Sequence, residues 1–198
     1  MSARRRTIGA SEIASILGVD PYVSPQLRYL QFRGETVDAP ENEHMVRGLC
    51  LEDGLGKWWS RIVGAESLKK QVKVRHPNRW ARATPDGLAT VGGQLVVLET
   101  KCPAGWRAWD ERKSLYPFQY HVQVVWQLGV AQAAGYPVAY GELAAGPIFG
   151  RLHRFRINPD PEFFELAMAK AGQFLKCVRT GEPLPPTFQH EAAQEAAQ

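Results

Sequence analysis

The amino-acid sequence predicts an α/β fold in which helices flank a central, mixed β-sheet. Segments with strand-like patterns are grouped between segments of helical periodicity, an arrangement that indicates an α/β core. A chain of 198 residues, of which 44% are hydrophobic and 22% charged, has the length and composition of one globular domain. We expect this domain to span residues 1–181, followed by a mobile tail at 182–198 that is rich in Pro, Ala and Gln and buries little.

The order of elements follows from the spacing of apolar residues and from the positions of Gly and Pro. In the first predicted helix, within residues 9–20, Ile13, Ile16 and Leu17 recur at helical spacing. Further helices are predicted at residues 26–33, 43–63, 106–113, 118–134 and 159–179. Strands are predicted at residues 67–75, 80–83, 86–91, 94–101, 138–144 and 148–157.

Composition and charge argue against several classes of protein. No segment approaches the roughly 20 apolar residues of a membrane span, and the basic start MSARRRTIGA lacks the apolar stretch of a secretory signal. Cys50, Cys102 and Cys177 are odd in number, far apart and without a C-x-x-C pair, which favours reduced thiols over a disulfide framework or a zinc site. We therefore expect a cytoplasmic protein without membrane contact, and its formal charge of +4 is compatible with a polyanionic partner.

A predicted hairpin, ATPDGLATVGGQLVVLETKCP, carries charged residues among apolar ones. The Gly-Gly pair at 92–93 supplies the positive φ angles of a two-residue turn, so Val91 is expected to pair with Gln94. Continuing this register places Asp86 directly opposite Glu99, where two like charges destabilise a sheet. A divalent cation between them removes the repulsion, and two such carboxylates form a natural site for Mg²⁺ or Mn²⁺.

Lys101 adds an ammonium group to this pair of acids. Side chains alternate along a strand, so Glu99 and Lys101 share one face of the hairpin. An ammonium at this point can orient an attacking water and stabilise a phosphorane-like transition state, as metal-dependent phosphodiester cleavage requires. The alternative is a Glu–Lys pair at the end of an exposed strand, with Asp86 serving only the Pro-Asp-Gly turn.

A third acid, Glu52, lies on the predicted helix 43–63. It interrupts an otherwise apolar stripe at helical spacing, and a carboxylate in such a stripe needs a partner. The stripe consists of Met45, Leu49, Glu52, Gly56, Trp59 and Val63. If this face packs on the hairpin, three carboxylates converge and two metal ions about 4 Å apart become possible. The alternative is that Glu52 is a solvent-exposed acid at the edge of this stripe.

Four segments, in sequence order, resemble a known family. TPDG followed by LETKCP resembles the PD-(D/E)XK nuclease motif, in a form similar to that of lambda-type, YqaJ-like viral alkaline exonucleases. GASEIASILGVDPYVSP, RGLCLEDGLGKWW and YPFQYHVQVVWQL resemble that family's N-terminal helix and loop, its helix with the third acid, and its helix after the lysine motif. The resemblance covers most of residues 8–130 and implies a PD-(D/E)XK, restriction-endonuclease-like core.

The resemblance implies an Mg²⁺-dependent (or Mn²⁺-dependent) 5′-to-3′ exonuclease that acts on double-stranded DNA ends and leaves 3′ overhangs. It implies a ring-shaped homotrimer, a single-strand-annealing protein as partner, and a phage or prophage gene in a bacterial host. The implied metal ligands are Glu52, Asp86, Glu99 and the carbonyl of Thr100, with Lys101 as the catalytic lysine and Gln123 near the attacking water. The implied pocket for the terminal 5′-phosphate consists of Ser11, Thr84 and an arginine before the first helix, which is Arg6 or its neighbour Arg4 or Arg5.

Several of these features have simpler interpretations. Ser11, at the start of a helix, is typical of an N-cap. Tyr22, in the loop PYVSP, is expected to pack under its own loop rather than to wedge between base pairs. Gln119 and Gln127 are expected to line a solvated stripe. The alternative functions are an endonuclease on the same scaffold and a non-catalytic scaffold that binds DNA ends for recombination.

Overall fold

The computed structural model describes residues 6–36, 40–146 and 150–190. A five-stranded sheet forms its centre, and helices cover both faces of the sheet. The helices are α1 (Ala10–Leu17), α2 (Pro25–Arg33), α3 (Glu43–Val63), α4 (Phe118–Ala133), α5 (Pro161–Thr180) and α6 (Thr187–His190). The strands are β1 (Ser67–Lys70), β2 (Val74–Arg75), β3 (Arg82–Ala83), β4 (Gly87–Val91), β5 (Gln94–Lys101), β6 (Val138–Ala145) and β7 (His153–Ile157).

The central sheet is mixed, as the sequence predicts, with the strand order β1-β4-β5-β6-β7. Strands β5 and β6 are parallel and are connected through α4, whereas the other neighbouring pairs are antiparallel. Side chains of β5 alternate between two apolar cores: Val97 belongs to the core shared with α1, α4 and α5, while Val96 and Leu98 belong to the core shared with α3. The same alternation places Glu99 and Lys101 on the α4 face of the sheet.

The register of the β4–β5 hairpin confirms the prediction. Gly92 and Gly93 adopt φ angles of 56° and 74°, in the left-handed region that such a turn requires. Val91 pairs with Gln94, and pairing continues as far as Gly87 opposite Leu98. The next residue toward the N-terminus is Asp86, so this register brings Asp86 to the level of Glu99.

Helix α3 packs on the sheet from Leu51 onward. Leu55 and Trp59 are buried against the face of the sheet that carries Leu98. Met45 and Leu49, which belong to the predicted apolar stripe, are 49% and 61% exposed. The predicted stripe is therefore wrong for the N-terminal half of α3, because this half extends past the core that the described residues form.

The predicted strand 67–75 is wrong in form, because it is divided into β1 and β2. Gln71 adopts a φ angle of 50°, which no β-strand accommodates, and the chain turns away from the central sheet at this point. Strand β2 then pairs with β3 in a separate two-stranded sheet. The predicted strand 148–157 begins later, with β7 at His153, and its residues 148–149 lie outside the described ranges.

The predicted helix 106–113 is also wrong. This segment consists of turns and one short 3₁₀ helix, Glu111–Lys113. Its aromatic residues pack on one another instead: the ring centroids of Trp106 and Trp109 lie 5.8 Å apart, and Trp109 stacks on Tyr120 of α4 at 5.5 Å. The three-residue spacing of Trp106 and Trp109, which suggests a helix in the sequence, here brings two rings together in a non-helical segment.

The predicted C-terminal tail buries more than expected. Leu184 and Phe188 are only 8% and 3% exposed, and the ring of Phe188 lies 6.3 Å from that of Phe174 in α5. The expectation that residues after 181 bury little is therefore wrong for this part, while residues 191–198 lie outside the described ranges. Among the described helices, none has both the length and the apolar character needed to cross a bilayer.

Candidate active site

Asp86 is held at the start of β4 by Thr100 of β5. The backbone N–H and the hydroxyl of Thr100 both donate hydrogen bonds to Asp86 Oδ2, each with a length of 2.7 Å. Two donors on one oxygen fix the orientation of the carboxylate. The second oxygen, Oδ1, accepts no hydrogen bond from the described residues and stays available to a ligand.

Glu99 is only 2% exposed, and both of its oxygens accept hydrogen bonds from α4. Gln123 Nε2 donates to Oε1 at 2.6 Å, and Gln127 Nε2 donates to Oε2 at 2.7 Å. Lys101 Nζ forms an ion pair with the same Oε1. A buried carboxylate with three donors has both its position and its rotation fixed.

The ammonium of Lys101 connects the buried acids to the surface. Its side chain is 24% exposed although Nζ contacts Glu99, and Nζ lies 5.2 Å from the ring centre of Tyr120, within cation–π range. Burial by itself lowers the pKa of Lys101, but the negative charges of Glu99 and Asp86 outweigh it and raise the pKa. Lys101 is therefore a protonated donor at neutral pH, on a side chain that is partly exposed.

Glu52, on α3, joins this group through Gln71. Glu52 is half-buried, and Gln71 Nε2 donates a hydrogen bond of 2.5 Å to Glu52 Oε1. The backbone N–H of Gln71 donates to the carbonyl of Asp86 at 3.4 Å. The left-handed backbone of Gln71 is the kind of strain that clusters at functional sites. Gln71 thus ties the helical acid to the start of β4.

Asp86 lies within electrostatic reach of both other acids, Glu52 and Glu99. The pKa of Asp86 is raised, chiefly by burial and in addition by the charge of Glu52. The charge of Lys101 and the hydrogen bonds from Thr100 oppose this rise. Burial also raises the pKa of Glu99, and the charge of Asp86 adds to that rise against the opposing effect of Lys101. Perturbed carboxyl groups beside a lysine are typical of functional sites.

The oxygen donors of this group fit a hard divalent cation. Mg²⁺ and Mn²⁺ prefer carboxylate and carbonyl oxygens, and in the described part of the chain neither Asp86 Oδ1 nor Glu52 Oε2 accepts a hydrogen bond. Three carboxylates against one ammonium leave an excess of negative charge. Among the residues that the structure describes, no three His, Cys, Asp or Glu side chains are arranged to hold a metal ion. Both oxygens of Glu99 are engaged, by Lys101 and two glutamines.

The residues predicted for a 5′-phosphate pocket belong to different parts of the chain: Ser11 lies in α1, Arg6 precedes this helix, and Thr84 follows β3. Ser11 is exposed at the second position of α1, but the N-cap is Gly9, whose N–H donates to Glu12 Oε2 at 2.7 Å. The interpretation of Ser11 as an N-cap is therefore wrong. Thr84 and Arg6 are also exposed, whereas Arg4 and Arg5 lie outside the described residues.

Arg82 is a further cation at this point that sequence reasoning missed. The backbone of Ile8 pairs with β3, since Arg82 N–H donates to the carbonyl of Ile8 at 2.9 Å. This pairing brings the guanidinium of Arg82 to the N-terminus of α1, where Nε would lie 3.6 Å from a Cβ at position 9. Arg82 also precedes Thr84 by two residues, and this spacing on a strand is the signal that would have singled it out.

Two expectations about polar side chains are wrong. Gln127 was expected to be solvated but is 1% exposed and bonded to Glu99, whereas Gln119 is half-buried. Tyr22 was expected to pack under its loop but is 84% exposed, and Asp20 Oδ1 fixes this loop by accepting from the N–H of Tyr22 at 2.8 Å. A glutamine inside the apolar run VVWQLGV was the available signal for Gln127.

Sequence comparison identifies a family. The profile of the YqaJ-like viral recombinase domain matches residues 1–134 of this chain. A curated relative, the uncharacterized protein YqaJ of Bacillus subtilis strain 168, is 29% identical over 131 residues. The match covers 64% of this chain and 40% of the relative, so the chain spans well under half of that protein's length.

Structural comparison confirms the predicted fold class. The alkaline exonuclease LHK-Exo of Laribacter hongkongensis matches with a TM-score of 0.73 at 20% identity, and its complex with dAMP matches with 0.74 at 19% identity, each over 91% of both chains. A phage-related exonuclease of Haemophilus somnus 129PT matches with 0.65 at 12% identity, over 89% of this chain and 96% of that chain. At identities this low, the structural matches establish the fold alone. The family is shown by the profile, which covers more than half of the sequence. The chain therefore belongs to the YqaJ-like viral recombinase domain family.

Proposed function

We propose that this protein is a metal-dependent exonuclease that degrades linear double-stranded DNA from its 5′ ends and leaves 3′ overhangs for single-strand annealing. The observation that carries the proposal is the position of Lys101, whose ammonium contacts the buried carboxylate of Glu99 and interacts with Asp86, on a side chain that is 24% exposed. Membership of a viral recombinase family, and similar structures described as exonucleases, support the same class of reaction.

The mechanism assigns a task to each group. Glu52, Asp86, Glu99 and the carbonyl of Thr100 would hold one or two Mg²⁺ or Mn²⁺ ions. Bound ions of this kind supply Lewis acidity and neutralise charge at a phosphate. Lys101 donates hydrogen bonds to the phosphate oxygens as negative charge develops on them. The amide of Gln123 donates to Glu99 at 2.6 Å, which leaves its carbonyl oxygen to orient the attacking water.

The 5′ end of the substrate would be recognised at the start of α1. Ser11 and Thr84 offer exposed hydroxyls there, and the amides of a helix N-terminus favour a phosphate. Arg82 or Arg6 would supply a guanidinium that contacts the phosphate with two hydrogen bonds. A phosphate held at this point sets the direction of digestion, because the scissile bond then lies inward of the 5′ end.

The resemblance extends the proposal to the assembly. We propose a homotrimeric ring around DNA and a single-strand-annealing protein as partner, acting in the cytoplasm of a bacterium that carries the phage or prophage gene. The measurement for the ring is the mass of the protein in solution with and without duplex DNA. A monomer under both conditions contradicts this part alone.

A time course on linear duplex, labelled at either end of one strand, tests the exonuclease activity. We expect early release of the 5′ label, no digestion in EDTA, and no effect on covalently closed circular DNA. Lys101→Ala is expected to slow digestion by about 10²–10³-fold, the range for loss of one transition-state donor, while the protein stays folded at the assay temperature.

Each alternative gives a different result in the same assay. Nicking of the closed circle indicates an endonuclease. Binding to ends without cleavage under any metal condition indicates a non-catalytic scaffold. Full activity of a folded Lys101→Ala protein shows that the role of Lys101 is misassigned.

A further inference from the structure

Outside the candidate active site, positive charge is concentrated in one segment. Residues 67–85 contain six of the 24 Lys and Arg residues and none of the 20 Asp and Glu residues. The rest of the chain is therefore net negative, although the whole chain carries a formal charge of +4. The segment runs from β1 through β2 and β3 and ends next to Asp86. The basic surface is thus continuous in the chain with the candidate active site.

The two-stranded β2–β3 sheet places the cations that flank its buried residues on one face. Val74 and Ala83 pair with each other and are buried, so side chains on either side of them in sequence point to the opposite, outer face. Arg79 lies in the turn between the two strands. We call the resulting set the basic ribbon: Lys73, Arg75, Arg79 and Arg82.

The basic ribbon has cations without anionic partners. Lys73, Arg75 and Arg79 are exposed, and none of them forms an ion pair with any of the described residues. Arg75 lies directly opposite Arg82 in the strand register. The guanidinium of Arg82, however, is directed to the start of α1, where Arg82 Nε and Glu12 Oε2 lie 3.6 and 3.3 Å from a Cβ at position 9. The other three cations of the basic ribbon therefore carry its unpaired charge.

The tip of the basic ribbon is ordered by its own hydrogen bonds. Asn78 Oδ1 accepts from the N–H groups of Trp80 and Ala81 at 3.2 and 3.1 Å, and Arg79 N–H donates to the carbonyl of His76 at 2.8 Å. Arg79 is held with a φ angle of 65°. The ribbon therefore presents its charges on a fixed backbone, which lowers the entropy lost on binding.

We propose that the basic ribbon binds the sugar-phosphate backbone of the DNA duplex near the end that is being cleaved. The proposal rests on the exonuclease function above. Arg79 precedes Thr84 by five residues, so the ribbon extends at most about 16 Å from the proposed phosphate pocket, or about five base-pair steps of 3.4 Å.

A duplex suits this surface better than a single strand. Single-strand binders present aromatic side chains on which bases stack. Within residues 67–85 the one tryptophan, Trp80, is half-buried and lies 6.4 Å from the ring of Trp126 in the core. The exposed face of the basic ribbon offers charge without a stacking platform, which matches recognition of a phosphate backbone.

The test compares the salt dependence of binding to a short blunt duplex, using the full chain with Lys101→Ala so that the DNA stays intact. The ribbon variant carries Lys73→Gln, Arg75→Gln and Arg79→Gln. The control variant makes the same change of charge at three exposed cations on α3 and α5: Arg61→Gln, Lys176→Gln and Arg179→Gln. Each phosphate contact contributes about 0.9 to the slope of log K against log salt.

The ribbon variant is expected to have a slope smaller by about 2.7, so that between 50 and 200 mM salt the parent loses about 40-fold more affinity than the variant. The control variant is expected to keep the parental slope. Equal slopes for the ribbon variant and the parent overturn the proposal, and so does an equal change in the control. Thermal unfolding of the ribbon variant is expected to match the parent, and a folded variant is required for either conclusion.

Digestion assays keep the two proposals apart. With Lys101 restored, the ribbon variant is expected to digest linear duplex close to the parental rate at 50 mM salt and far more slowly than the parent at 200 mM. If the parent digests no DNA at either salt concentration, the exonuclease proposal fails. The binding slopes still decide whether the basic ribbon is a DNA surface.

Discussion

Replacing Gln127 by leucine separates the stability of the fold from the positioning of Glu99. Gln127 donates a hydrogen bond of 2.7 Å to the buried carboxylate, and a bond to a charged group contributes about 1.5–3 kcal/mol. Its other amide atom, Oε1, is buried without a hydrogen-bond partner in the described residues, at a cost of about 1–3 kcal/mol. Leucine removes both effects. We expect the free energy of unfolding to fall by about 1 kcal/mol or less, and Tm by at most about 2–4 °C.

The effect on activity is expected to be much larger. Gln123 and Lys101 both hold Oε1 of Glu99, so Gln127 is the group that fixes Oε2. Without it the carboxylate turns about its Cγ–Cδ bond and its geometry as a metal ligand is lost. Loss of a group that orients a ligand typically lowers metal affinity or activity by about 10–100-fold. We therefore expect the Mg²⁺ concentration for half-maximal digestion to rise by about that factor.

The assay is the rate of digestion of linear duplex across a series of Mg²⁺ concentrations, with thermal unfolding measured on the same samples. Gln132→Leu is the matched control, because Gln132 also lies on α4 and its amide also donates one hydrogen bond, to the carbonyl of Val138 at 3.2 Å. It is expected to leave the Mg²⁺ dependence unchanged. If Gln127→Leu lowers Tm yet keeps the parental Mg²⁺ dependence within about twofold, against the 10–100-fold expected, Gln127 serves packing and the reasoning fails.

Three further changes test other parts of the structure. The raised pKa values of Asp86 and Glu99 mean that the folded state binds protons more readily than the unfolded chain. The contribution of these groups to Tm in EDTA should therefore rise as pH falls through their folded-state pKa values, and Asp86→Asn should weaken this trend; a flat profile contradicts it. A 5′-hydroxyl end should be digested about 10–100-fold more slowly than a 5′-phosphate end, with Arg82→Gln reducing the difference; equal rates exclude the phosphate pocket. Phe188→Ala should lower Tm by about 6–20 °C in thermal unfolding, because it leaves a cavity against Phe174; a shift below about 2 °C, less than 1 kcal/mol, would mean that this helix is not packed.

The hairpin was predictable because local rules determine it. A two-residue Gly-Gly turn sets the register, and the period of two along a strand then decides which side chains share a face. Strand β5 has the predicted bounds, and Asp86 reaches the level of Glu99 as the turn requires. No contact distant in sequence was needed for this part of the candidate site.

Other features depend on tertiary contacts that a sequence pattern does not contain. The spacing of Gln119, Gln123 and Gln127 shows that they share a helix face, but not that this face lies over a buried carboxylate. The break at Gln71 comes from a left-handed residue that is not glycine, in a segment of otherwise strong strand character. Both glutamines missed by sequence reasoning make their contacts across different elements of the fold, Gln71 with α3 and Gln127 with β5.

These contacts follow a common physical logic. Each acid is oriented by neutral donors from another element or strand: Glu52 by Gln71, Asp86 by Thr100, and Glu99 by glutamines of α4. Neutral donors fix a carboxylate without cancelling its charge, and Lys101 is the cation paired with these acids in the described residues. With all four groups ionised, three acids and one ammonium retain a net charge of about −2, which attracts a divalent cation but repels a polyanion. If such a site binds DNA as proposed, it needs positive charge outside it, and residues 67–85 carry six Lys and Arg residues immediately before Asp86.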